Sequence, residues 1–256
     1  MTLKTITLGT ALTCFLSLSL CSHAQMTRAD LWEDLAGEDG ALRYEHPWDA
    51  DASFRALLEQ GRTTPDDLSA VLVEIAETYS TAENRLDYNV GRFARDHLGE
   101  YGTPNAIPFL EKTMREDGGS GGTFAAWQLV KMGARHPEAL DLVGSILKDK
   151  SWPDSGNARM RIYLWVGMMF EGGAPQQDYA DRLRAFLLDA AGVETHETER
   201  LDQALCLAIP SYATSRERLR FAERIAAIEK AEGRTDGHFT ALESELRAAG
   251  VAEQGD

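Results

Sequence analysis

The sequence predicts an all-α protein, a solenoid of antiparallel helix pairs. Three observations predict it. From Thr27 onward, apolar residues recur at i, i+3 and i+4 in segment after segment, which is helical spacing. Pro65, Pro104, Pro137 and Pro175 mark helix starts 39, 33 and 38 residues apart, a period that suits stacked helix pairs. The 256 residues are 43% hydrophobic and 26% charged, an ordinary globular balance with enough apolar side chain for a full core.

The first 24 residues stand apart. Met1 to Ala24 carries Lys4, no acid, and an apolar run from Ile6 to Leu20, then Ser22-His23-Ala24. Small residues at −3 and −1 place cleavage after Ala24. Residues 1–24 therefore read as a signal peptide, 25–252 as one helical-repeat domain and 253–256 as a frayed tail. A lipoprotein signal ending at Cys21 is the alternative, with Leu20 where a small residue belongs. The expected location is periplasmic or secreted. Of the three cysteines, export removes Cys14 and Cys21. Cys206 lies within apolar Ala204 to Ile209, where a free thiol packs as a small hydrophobe. A chain without an internal disulfide relies on its core. No Asn-x-Ser/Thr sequon is present, which favours a bacterial envelope.

The helices follow in order. Thr27 to Asp30 opens a short one with Leu31, Trp32 and Leu35. Asp49 to Ser53 begins another that carries Phe54, Leu57 and Leu58 to a stop at Gly61. Thr64-Pro65-Asp66-Asp67 is a full start signal: threonine caps, proline fits the first turn, and the acids complement the helix dipole. Leu68, Val71, Leu72 and Ile75 then form a buried stripe. Gly102-Thr103-Pro104 and Gly133 to Pro137 repeat this stop and start, with Ala106 and Ala139, Ile107 and Leu140, and Phe109 and Leu142 in matching places. Gly172 to Pro175 before Tyr179, Leu183 and Phe186 is a looser copy. Arg159 to Phe170 is the apolar centre. Its nine residues from Ile162 are too few for a bilayer, which needs about 20, so it reads as an inner helix covered on all sides. Glu199 to Ile209 is amphipathic, Thr214-Ser215-Arg216-Glu217 is a capping box, and a polar helix from His238 to about Ala249 caps the stack.

The string Leu98-Gly99-Glu100-Tyr101-Gly102-Thr103-Pro104-Asn105-Ala106-Ile107-Pro108-Phe109-Leu110 resembles bacterial HEAT-like repeats, clearest over residues 92–147. TPR repeats share the period, but there the proline closes a helix and here it opens one. The resemblance implies a right-handed α-solenoid used as a scaffold and binding surface, and it implies no chemistry. Unrelated helical hairpins in one compact domain are the alternative.

Without Lys4 the chain has 25 basic and 41 acidic residues, a net charge of −16. Such a chain repels phosphate backbones, which disfavours nucleic acid. His-Glu-x-x-His, Gly-x-Ser-x-Gly and cysteine-nucleophile signatures are absent, and no catalytic residue, cofactor or metal is expected. His97, His136, Trp127, Tyr163 and Trp165 read as structural. Gly118 to Gly122 lacks the P-loop lysine and reads as a flexible linker.

The connections 116–122, 148–156 and 191–199 are long and are taken as running between helix pairs, crowding one rim, whereas the connections within pairs are tight. On that rim Trp152 is the candidate anchor, exposed in its loop, or else folded back over a helix end. Asp154, Glu194, His196 and Glu197 are the other candidate contacts. The expected function is an exported scaffold or adaptor that binds a protein or peptide partner through its groove or this rim. The alternative is an envelope enzyme with a dispersed active site.

Overall fold

The computed structural model describes residues 29–31, 47–79, 85–149, 151–153, 157–171, 175–191, 201, 204–205, 208, 215–231, 233 and 238–248. Every regular element among them is helical, so the fold is all-α. In order these are α1 (Pro47–Glu59), α2 (Pro65–Tyr79), α3 (Arg85–Tyr101), α4 (Ile107–Glu116) and α5 (Ser120–Met132). Then come α6 (Pro137–Lys148), α7 (Ala158–Met168), α8 (Gln177–Ala191), α9 (Ser215–Ala231) and α10 (His238–Ala248). The signal segment, Cys206 and the tail 253–256 lie outside the described residues.

The start and stop signals act locally as the sequence implies, with one difference. At α2 the Thr64 hydroxyl accepts the Asp67 N–H at 3.1 Å, capping the first turn ahead of Pro65. Gly61, at φ +64°, ends α1 in the left-handed conformation that glycine adopts without strain, and the Arg62 N–H closes on the Leu57 carbonyl at 2.9 Å. Pro104 opens a 3₁₀ turn, Pro104–Ala106, before α4, and Thr103 makes no side-chain cap. An α-helix begun at Pro104 would need an N–H from Pro108, which has none. The Ile107 N–H bonds the Pro104 carbonyl instead.

Helices pack against the next in sequence and against the next but one. α2 and α3 are antiparallel, with Gly91 under Tyr79, and α4 and α5 are antiparallel across the turn Asp117–Gly119. α3 and α5 run parallel: the Gly99 N–H donates to Gln128 Oε1 at 3.2 Å, and Gly102 packs under Met132. α6 and α8 are also parallel, joined by Lys148 Nζ and Asp189 Oδ2 at 2.8 Å. Bonds across helices recur at similar sequence separations. Ser69 Oγ donates to Asn105 Oδ1 at 36 residues, Arg135 Nη2 to the Gly99 and Gly102 carbonyls at 36 and 33, and Lys148 to Asp189 at 41. Leu219 and Ala222 apart, the buried apolar side chains described from Leu31 to Ala226 form one continuous cluster.

Two expectations need correction. Gly118 to Gly122 is not a flexible linker between pairs. The connection is three residues long and joins the closely packed α4 and α5, and Ser120 to Gly122 already belong to α5. Its glycines answer to close approach: a side chain on Gly118 would run into the Pro153 carbonyl, and one on Gly122 into that of Asp117. Nor is α7 covered on all sides. Ile162, Tyr163, Val166, Gly167 and Phe170 are buried, but Leu164 and Trp165 are half-buried and Met168 is exposed.

Candidate binding face

The uncovered side of α7 is the starting point. Arg161, Leu164, Trp165 and Met168 fall on one arc at i, i+3, i+4 and i+7. Met168 is 45% exposed and is the one large hydrophobic among the described residues left so open to water. The buried side explains why the helix cannot turn this arc inward: Gly167 is pressed so close to Ala204 that a Cβ would lie 2.5 Å from its Cα. The face is therefore held outward by packing behind it.

α5 continues the surface. Ala125, Ala126, Leu129 and Val130 face the core, and the opposite stripe carries Phe124, Trp127 and Lys131, each half-buried. The Trp165 ring lies 5.6 Å from Phe124 and 5.8 Å from Trp127, both tilted, so the two helices share one aromatic cluster. α3 supplies two cations and α5 a third. Arg92 and Arg95 place their guanidinium carbons 5.2 and 5.6 Å from the Phe124 ring, and Lys131 places its Nζ 5.9 Å from Trp127. Gly99 permits this arrangement, because a Cβ there would meet Lys131 Cε at 2.6 Å.

Asp96 is the anion among these cations, 3.6 Å from Arg92 Nε and 3.8 Å from Arg95 Nε. Burial pushes its carboxyl above the ordinary range, while Arg95, Arg92 and Lys131 pull it back. Burial lowers Lys131, against the pull of Asp96 and Glu100. A partner would meet an apolar surface of rings edged by Arg92, whose side chain is half exposed. Rings offer large contact area with few rotamers to freeze, and guanidinium groups donate paired hydrogen bonds to carboxylates.

The rim candidates fare differently. The connection 117–119 and the loop 151–153 do meet on one edge, where Gly118 packs on Pro153. Trp152, however, is 5% exposed: of its two readings the one folded back over a helix end holds, and it is a packing residue and not an exposed anchor. Its Nε1 donates to the Met114 carbonyl at 2.7 Å, one of the acceptors that the last turn of α4 leaves open. Arg159 covers the ring from 5.9 Å. Asp154, Glu194, His196 and Glu197, and with them the connection 192–199, lie outside the described residues. His97 is buried among Phe54, Phe93 and Tyr101, with Nδ1 2.9 Å from the Phe93 carbonyl, and is structural. Tyr163 is buried as expected.

Trp127 and Trp165, read from sequence as packing, are half-buried members of the face instead. The signal that could have found them is that α5 carries Phe124 and Trp127, and α7 Leu164, Trp165 and Met168, beyond what one core-facing stripe needs. Among the described residues no helix is long and apolar enough to cross a membrane, and no group of His, Cys, Asp or Glu is placed to hold a metal ion. Comparison with known protein families, with curated proteins and with solved structures finds no match, so the reading of this face rests on the chain's own geometry.

Proposed function

We propose that this chain is an exported, HEAT-like right-handed α-solenoid. In this reading it is a scaffold or adaptor that binds an extended peptide segment of a protein partner across α3, α5 and α7. The helix contacts recur at separations near the proline spacing, which supports stacked repeats. The observation that carries the binding role is the ladder from Arg92 and Arg95 through Phe124 and Trp165 to Met168. Apolar area left in water on a helix that is otherwise buried marks a surface for association. Cations at its edge, on a chain of net charge −15, favour a segment that mixes apolar and acidic side chains.

Panning a displayed random-peptide library on the full chain tests this. Enriched peptides should be apolar and acidic. Arg92→Glu and Met168→Glu, both at exposed positions, should weaken them by at least about 10-fold without changing the melting temperature. Peptides that bind both variants as tightly as the parent would sink the proposal.

A further inference from the structure

We propose that Asp96 is a built-in stand-in for the partner's carboxylate: it holds the cations of the empty face, and an acid of the bound segment takes its place on them. This rests on the peptide-binding reading above and adds the residue that sets how acidic a partner must be.

Three cations converge on Asp96, and neither of the two arginines bonds it. Arg92 Nε stands 3.6 Å from Oδ2 and Arg95 Nε 3.8 Å from Oδ1, both beyond hydrogen-bond reach. Lys131 comes from α5, and its charge acts on Asp96 as that of Asp96 acts on it. Oδ1 and Arg95 Nε are both shut off from water, and among the described residues neither has a hydrogen-bond partner. Two such groups, desolvated and unbonded, are unfavourable.

Helix geometry explains why Asp96 holds these groups so loosely. Arg95 is its immediate neighbour, and side chains at i and i+1 of a helix do not face each other. Arg92 lies one turn before it, whereas an ion pair along a helix is better with the acid first. A carboxylate brought by a partner is not tied to α3. It can enter the plane of a guanidinium fork and accept two parallel hydrogen bonds. Arg92, half exposed and 5.2 Å from the Phe124 ring, is the fork most open to it.

With a partner's acid in place, Asp96 faces a like charge, which favours its protonated form. Burial already pushes its carboxyl in that direction. Binding should therefore take up a proton, and affinity should rise as pH falls while the partner's acids stay ionised. The charges that bear most on Asp96 are Arg95, Arg92, Lys131 and His97, and α2, which also packs on α3, contributes none of them. Glu100 acts on Lys131, and Asp117 borders Gly121 together with Arg95, so these acids offset part of the positive charge.

The probes are an acidic peptide enriched by the panning above and a copy with its Asp and Glu changed to Asn and Gln. Each is titrated by calorimetry into the full chain at about pH 7.5 and about pH 5.5, a window in which peptide carboxylates stay charged. The parent should bind the acidic peptide at least about 3-fold tighter at the lower pH. Asp96→Asn, which keeps the shape and drops the charge, should bind it at least about 10-fold tighter than the parent at the higher pH. That variant should show no rise on acidification. It retains His97, so a pH response belonging to the histidine would survive there. The amide copy should show neither effect. If Asp96→Asn does not melt cooperatively, the parent's profile decides, and an affinity that stays flat or falls on acidification overturns the proposal. A folded Asp96→Asn that binds the acidic peptide no tighter than the parent also overturns it. In both cases the peptide-binding reading stands, because acidic peptides still bind. Panning that enriches no acidic peptide takes down both.

Discussion

Trp152 shows what a single residue hides at the level of sequence. In a loop with Ser151 and Pro153 an indole can turn outward to a partner or inward to the core, and local composition does not choose between them. The choice is made by the Met114 carbonyl, 38 residues upstream, which needs a donor and receives Nε1. Trp152→Ala should therefore destabilise the fold by about 3–5 kcal/mol in a denaturant titration, as core aromatic truncations do. Trp152→Phe should lose about 1–3 kcal/mol, mainly by leaving that carbonyl unpaired. A loss below about 1 kcal/mol for the alanine variant would show that the ring is not held.

At the scale of elements, the helices and their order were legible because caps, prolines and apolar stripes act within a few residues. Their surroundings were not. α7 reads as apolar on every side, and only its neighbours decide that Ile162 and Val166 are covered while Met168 is left in water. Glycines inside helices make the same point, since the sequence does not tell Gly144 from Gly167 and the structure separates them. Gly144→Ala should stabilise the protein by about 0.5–1 kcal/mol, because its Cβ finds room and the helix gains propensity. Gly167→Ala should destabilise it by about 1–3 kcal/mol, because the Ala204 backbone stands 2.5 Å from the new atom and cannot rotate away. Thermal melts of the two variants should move in opposite directions, and a shared direction would contradict this packing.

At the scale of the whole molecule, a net charge of −15 is the dominant electrostatic feature. Most ion pairs among the described residues are exposed and contribute little, so self-repulsion of the acidic surface opposes compaction. Raising sodium chloride from about 10 mM to about 150 mM shortens the screening length from about 30 Å to about 8 Å. Relief of about 1 kcal/mol of repulsion would raise the melting temperature by about 2–4 °C in a chain of this size. A fall on adding salt would mean that the attractive pairs outweigh the repulsion.

By itself the sequence determined that this protein is all-α, where most helices begin and end, and that Tyr163 and His97 are packed inside. Those properties follow from backbone sterics, capping and periodicity, which act over one or two turns. The tertiary structure alone decided that Trp152 is inside and that Trp127 and Trp165, from two helices, share one aromatic cluster with Phe124, which lies under the cations of α3. Each of these depends on residues about 30 to 40 positions apart being brought into van der Waals contact, and no local pattern carries that distance.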